Sequence, residues 1–177
     1  MPELHSKAGP NTIVVTANNQ VHFAGQTYAC ALGRSGMHHD KQEGDGKTPE
    51  GTYPLRSVLY RPDRVDPPKT SLAVSPLQQN DGWCDDPAST AYNQQIVLPS
   101  AASAEHLWRD DHLYDVIVLL GHNDDPVIPG AGSAIFMHVA GDGYSPTEGC
   151  VALMIDDLLA VLADCNADTT IDIGGKA

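Results

Sequence analysis

A histidine at position 138 and a cysteine at position 150 stand twelve residues apart in "IFMHVAGDGYSPTEGCVALM", separated by a loop of turn-forming residues. A cysteine attacks a carbonyl as its thiolate. A free thiol has a pKa of about 8.5, so it needs a neighbouring base or a positive field to ionise near neutrality. His138 is the best candidate base: it sits at the polar end of the apolar run "SAIFMHVA". The chain from 138 to 150 has room for a reversing loop, punctuated by Gly141, Gly143 and Pro146, and for the start of a strand "CVALM". Period-two alternation places Ile135, Met137 and Val139 on one face of the first strand and Ala134, Phe136 and His138 on the other. The backbone N–H groups around Glu148, Gly149 and Cys150 form a candidate oxyanion hole, because a glycine at 149 lets a carbonyl come close. On spacing alone, a small buried cysteine and a histidine satisfied at a strand end remain the plainer account.

The elements that must position this pair are short and mostly of β type. "TIVVT", "QVHFAG" and "QTYACALG" follow one another closely, with Asn18-Asn19 suited to a hairpin turn. "TYPLRSVLY", "SLAVS", "QQIVLP", "YDVIVLLG", "SAIFMHVA" and "TTIDIG" continue the series, bounded by Gly, Pro, Asn or Asp. Helical periodicity is clear in "DDLLAVLADC", where Leu158, Leu159, Leu162 and Cys165 share a face and Asp156 and Asp157 suit the first turn. A second, shorter helix is expected at "SAEHLWRDD", capped by Ser103. The expected class is mainly β with a few short helices, in one domain spanning 1–177. Three long loops, "GRSGMHHDKQEGDGKTPEGTYPL", "RPDRVDPPKT" and "NDGWCDDPASTAYN", could wall a cleft.

Ten Lys and Arg stand against 23 Asp and Glu, a formal net charge of −13, which argues against nucleic acid or an anionic membrane as partner. No run of 18 apolar residues suggests a transmembrane segment, and "MPELHSKAGPNT" lacks the basic and apolar regions of a secretory signal. Cys30, Cys84, Cys150 and Cys165 form no C-x-x-C pair, which disfavours a zinc ribbon or redox dithiol. If Cys150 stays a free thiolate, the other three cannot all pair within the chain. The remaining metal-type clusters, His38, His39 and Asp40 in one loop and His122, Asp124 and Asp125 in another, lack ligand spacing, so neither a metal nor a cofactor is expected.

A resemblance changes the weight of the Cys-His pair. "IFMHVAGDGYSPTEGCVAL" resembles the active-site segment of the L,D-transpeptidases, the YkuD-type catalytic domain, in which a histidine is followed after a loop by Ser/Thr-His-Gly-Cys. "KQEGDGKTPEGTYPL" is similar to that family's upstream Gly-Asp-x-x-Thr-Pro-x-Gly stretch, here Gly44 to Gly51. With "GWCDDPAS", "YN", "LYDVIVLLGHN" and "PGAGSAIFMHV", which look like one proteobacterial branch, the resemblance spans roughly residues 28 to 173. It implies a YkuD-like β-sandwich with long active-site loops, Cys150 as nucleophile and His138 as general base. It also implies acyl transfer through a thioester between peptidoglycan stem peptides, carbapenem-type inhibitors as ligands, and a periplasmic location, which sits awkwardly with the missing signal and leaves a cytoplasmic protein as the alternative.

Two positions depart from that pattern. The motif's second histidine is Glu148, and the arginine that commonly follows the cysteine by two residues is Ala152. A carboxylate-binding cation must then come from elsewhere, with Arg34 the first candidate and His122 the second. Glu148 could orient an acceptor's ammonium group or cap a turn. Trp83 and Tyr92 could stack on a glycan or cover the thioester, although Trp83 is better read as packing its loop onto the body. Asp45 and Thr48 are expected to fix a turn. The departures make an L-Ala to diaminopimelate linkage conceivable, since relatives most like this sequence include enzymes that form it. Two other readings remain: a cysteine amidase or endopeptidase on the same scaffold, in which water replaces the amine, and a non-catalytic wall-binding module, against which the presence of both His138 and Cys150 argues.

Overall fold

The structure is a computed structural model and describes residues 9–177; most of the chain start weighed above for a signal lies outside the described residues. Its strands are β1 (Thr12–Thr16), β2 (Gln20–Phe23), β3 (Gln26–Ala29), β4 (Met37–His38), β5 (Thr48–Pro49), β6 (Gly51–Tyr60), β7 (Val74–Pro76), β8 (Asp81–Cys84), β9 (Gln95–Val97), β10 (Ala104–His106), β11 (Val116–Leu120), β12 (Phe136–Val139), β13 (Val151–Leu153) and β14 (Thr170–Ile173), with the helix α1 (Ile155–Asp164) before the last.

The main sheet runs β13-β12-β11-β6-β14-β1-β2-β3, with β7 added to β6. Its two ends meet. Past β3 the chain reaches β13, where Ala31 and Ala152 exchange backbone hydrogen bonds of 2.8 and 3.0 Å, and the Arg34 N–H reaches the Thr147 carbonyl at 2.8 Å. A sheet that curls onto itself in this way removes most of its open edge and encloses an apolar interior. Ile13, Val15, Val58, Val118, Met137, Val151 and Ile171 fill it, and α1 contributes Leu158, Val161 and Leu162. Burial of this kind, at roughly 25 cal/mol per Å² of apolar surface, is what holds a chain with few aromatics together.

β11 and β12 are apolar on both faces. Ile135, Met137 and Val139 belong to the enclosed core, while Ala134 and Phe136 belong to a second cluster with Leu59, Leu77, Leu107, Tyr114, Ile117 and Cys150. The three-stranded sheet β10-β8-β9 covers that outer cluster, with Trp83 set edge-on to Phe136 at 5.0 Å between ring centroids. The arrangement is therefore mainly β, a near-closed sheet with a smaller sheet packed outside it.

Two local expectations fail. The stretch from Ser103 is not a helix: Ala104, Glu105 and His106 pair antiparallel with Cys84, Trp83 and Gly82, because the backbone of β8 offers hydrogen-bond partners that a lone short helix would lack. The partner strand β8 itself lies in "NDGWCDDPASTAYN", which reads as a polar loop. The Asn18-Asn19 turn does form, with Asn19 at φ 60° and its N–H on the Thr16 carbonyl at 3.1 Å. All four cysteines are buried free thiols. No helix among the described residues is long and apolar enough to cross a membrane.

Candidate active site

β12 and β13 are parallel, with His138 opposite Ala152 in the register. Parallel neighbours cannot be joined by a tight hairpin. The loop from 140 to 150 is therefore a return crossover, which brings the chain back to the end where β12 begins. Cys150, the residue before β13, consequently lies beside Phe136 rather than at the far end of the sheet. The Phe136 N–H donates to the Cys150 Sγ at 3.4 Å, and the thiol donates to the Ala134 carbonyl at 3.2 Å.

The turn ahead of Cys150 is tied by one hydroxyl. Thr147 Oγ1 donates to the Cys150 carbonyl at 2.7 Å and accepts the Gly149 N–H at 3.1 Å. Gly149 sits at φ +144°, and a Cβ there would lie 2.7 Å from the Lys47 carbonyl oxygen, so the position requires glycine. Its N–H is engaged by Thr147, which leaves the neighbouring Cys150 N–H as the better candidate to meet an oxyanion.

His138 and Cys150 line one cavity of about 460 Å³. The imidazole is 5 % exposed, and its Nδ1 lies 2.8 Å from the Val139 carbonyl. A carbonyl can only accept, so Nδ1 carries the proton and Nε2 of the neutral ring is the basic nitrogen. Burial, chiefly, brings His138 down to about 4. Burial likewise pushes the Cys150 thiol up to about 12, with the Glu105 carboxylate acting in the same direction and the Phe136 N–H and Lys41 acting against it. At neutral pH the two groups are thus a thiol and a neutral imidazole.

Tyr114 packs against His138. Its ring meets His138 edge-on at 5.2 Å, and its hydroxyl donates to Glu105, a carboxyl that burial raises above its ordinary value. Arg109 stacks over the Tyr114 ring at 5.3 Å. Lys41, Glu43, Asp85, Glu105, Arg109 and Tyr114 all line the cavity, and none stood out in the sequence. Lys41 and Glu43 lie in the quoted "KQEGDGKTPEG"; Glu105 lies in the stretch that suggested a helix.

The other sequence candidates are distributed differently. Arg34 and Glu148 find each other across 3.0 Å as an exposed ion pair, and Glu148 but not Arg34 lines the cavity. Tyr92 is 1 % exposed and lies off the cavity lining. Its hydroxyl donates to Glu43 and accepts from the Gly132 N–H at 3.0 Å, so it is a buried brace and cannot stack on a glycan. Trp83 donates from Nε1 to Asn93 at 2.9 Å and packs on Phe136; it too lies off the lining. His122 sits edge-on to Tyr53 at 5.4 Å and is not among the residues lining the cavity, with Nδ1 buried and without a hydrogen-bond partner. Burial and then the Lys41 charge bring it down to about 4, so it is no cation at neutral pH.

Asp45 fixes its turn as expected. It accepts from the Gln42 N–H at 2.7 Å, the Lys47 N–H at 2.9 Å and the Lys41 ammonium at 2.6 Å. Burial opposes its ionisation, but these bonds prevail and lower the carboxyl to about 2. Thr48 is fully buried and accepts the Gly33 N–H at 2.8 Å, tying this turn to the seam that closes the sheet. Among the described residues no group of three or more His, Cys, Asp or Glu is placed to hold a metal.

The model of the YkuD family, the L,D-transpeptidase catalytic domain, matches residues 6–173. Among curated proteins no match is found. Two solved structures are similar: L,D-transpeptidase 1 of Mycobacterium tuberculosis, 12 % identical with a TM-score of 0.44, and the helical cell shape determining protein Pgp2 of Campylobacter jejuni, 16 % identical with a TM-score of 0.46. Each alignment covers 94 % of this chain, but only 60 % of the first protein and 48 % of the second.

Proposed function

Since the chain belongs to the YkuD L,D-transpeptidase catalytic domain family, whose members act on peptidoglycan, we propose that it is a cysteine acyltransferase that cross-links peptidoglycan stem peptides outside the cytoplasm, with residues 1–177 as one catalytic domain. The observation that carries this reading is the joint placement of Cys150 and a tautomer-fixed His138 on one cavity. Nε2 of His138 takes the thiol proton as Sγ attacks the donor carbonyl. A tetrahedral oxyanion forms against the Cys150 N–H and collapses to a thioester as the donor's leaving amine takes the proton back from the imidazole. The amine of a second stem then attacks the thioester, His138 accepts its proton, and the thiol is regenerated.

The charges on the cavity wall suit such a peptide. Lys41 and Arg109 line the same cavity as Glu43, Asp85 and Glu105, so its wall carries both signs of charge, as a substrate with carboxylate and ammonium groups would need. Ala152 is 1 % exposed beside His138; a side chain this small leaves room for the imidazole and takes no part in holding a donor. That difference supports a linkage other than the usual diaminopimelate pair, with L-Ala to diaminopimelate as the first candidate.

The test uses purified muropeptides and a carbapenem in separate reactions, read by mass. Transfer predicts a carbapenem adduct on wild type that is lost in Cys150→Ala, together with new cross-linked dimers whose fragmentation gives the linkage. Stem-peptide loss without dimers favours the amidase reading. Neither adduct nor turnover between pH 6 and 9 would overturn the catalytic assignment.

A further inference from the structure

The side chain of Lys41 is only 6 % exposed, although the residue lines the cavity. Two glycines make its path. At Gly132, φ +107°, a Cβ would lie 2.9 Å from the Lys41 Cγ and 3.1 Å from its Cε. At Gly149, φ +144°, a Cβ would lie 3.4 Å from Nζ. The stem therefore passes Gly132 and the ammonium arrives beside the residue preceding the nucleophile. Behind it stands Asp45, 2.6 Å away and held by two backbone N–H groups. An ammonium taken out of water must be compensated, and here one anchored carboxylate does so on one side while Gly149, next to Cys150, lies on another.

We infer that Lys41 is the electrostatic partner of Cys150, its ammonium stabilising the thiolate that forms when Sγ passes its proton to Nε2 of His138. The inference rests on Cys150 being the nucleophile. The other titratable groups lining the cavity are Lys41 and Glu43 from the loop before β5, Asp85 just after β8, Glu105 from β10, Arg109 and Tyr114 from the stretch before β11, His138 from β12 and Glu148 on the thiol's own loop. Lys41 is the cation among those that act directly on the thiol, and it opposes Glu105. The loop's Gly-Asp-x-x-Thr-Pro stretch thereby gains a function beyond its turn: Asp45 aims a charge. Lys41 acts through Cys150 and is a positioning residue in this sense.

The rate of alkylation of Cys150 by iodoacetamide, in which the thiolate displaces iodide and forms an S–C bond, reads the thiolate directly and needs no peptidoglycan. Peptide mapping separates Cys150 from the other three thiols. Between pH 6 and 10, Lys41→Gln is expected to label about tenfold more slowly and to move the profile up by about one pH unit, the effect of losing one opposite charge near a titrating group. Lys41→Arg is expected to stay within about threefold of wild type, since the charge is kept. Asp45→Asn, which removes the counter-charge, is expected to shift the profile down. A role confined to holding the loop would move the Gln and Asn variants in the same direction. Superimposed profiles for wild type and Lys41→Gln, or a common direction for Lys41→Gln and Asp45→Asn, would overturn the inference and leave the nucleophile assignment intact. If Lys41→Gln does not fold, an unshifted or upward-shifted Asp45→Asn profile overturns it instead. A wild-type Cys150 that resists labelling at every pH would overturn both.

Discussion

Acid should weaken this protein through His138, the histidine proposed as its base. His138 is 5 % exposed and is held neutral, its value lowered from 6.5 to about 4, mainly by burial. In the unfolded chain it takes up a proton as pH falls through 6.5; in the fold it does so only near 4. Between these values the unfolded state binds more protons, so the stability owed to the neutral ring is complete above pH 6.5 and is lost as pH falls toward 4. At about 1.4 kcal/mol per pKa unit the whole effect is about 3 kcal/mol, of which about 2 kcal/mol falls between pH 7 and pH 4.5. Urea unfolding at these two pH values checks it. Wild type should lose about 2 kcal/mol more than His138→Gln, whose amide can still donate to the Val139 carbonyl and cannot titrate. Asp45, lowered to about 2, contributes only below its ordinary value of 3.8 and stays outside this window. His122, also lowered to about 4, titrates in parallel in both proteins and cancels in the comparison. Equal losses in wild type and His138→Gln would refute the picture of a buried, neutral imidazole.

Two further substitutions test the turn that presents Cys150. Thr147→Val keeps the shape but removes the hydroxyl that bonds both Gly149 and Cys150; it should lower stability by about 1–3 kcal/mol and slow carbapenem acylation, whereas Thr147→Ser should retain both, as thermal unfolding and adduct mass will show. Gly149→Ala places a Cβ 2.7 Å from the Lys47 carbonyl at φ +144°; it should cost about 2 kcal/mol or more and abolish the adduct. A Gly149→Ala protein as stable and as reactive as wild type would mean that the turn is not the one described.

Much of the fold was legible because its signals are local. β-branched runs bounded by turn residues marked most strands of the main sheet, and the 3.6 periodicity of "DDLLAVLADC" marked α1 within a residue at each end. β8 and β10 escaped because their preference is set by each other: a polar, Gly- and Trp-bearing stretch becomes a strand only when Ala104–His106 lies beside it. The site divides in the same way. His138 and Cys150 could be paired from residue type, spacing and resemblance, and Asp45 and Thr48 from the chemistry of turns. Arg34 and Glu148 were both chosen, yet for contacts with a ligand rather than with each other. Tyr92 was expected at the cavity and is a buried brace, because an aromatic in a polar loop carries no mark of which side the loop will close upon.

Residue type and spacing alone supply a candidate nucleophile, a candidate base within one loop of it, and a glycine-led turn between them. These depend on residue type and short-range geometry, which the chain carries with it. The tertiary structure alone decided which charges surround that chemistry. Lys41 and the stretch that carries Glu105, Arg109 and Tyr114 are far apart in the chain, and far from Cys150, and they line one cavity only in the folded sheet. Long-range electrostatics and burial are properties of that convergence, and they set the protonation of Cys150 and His138.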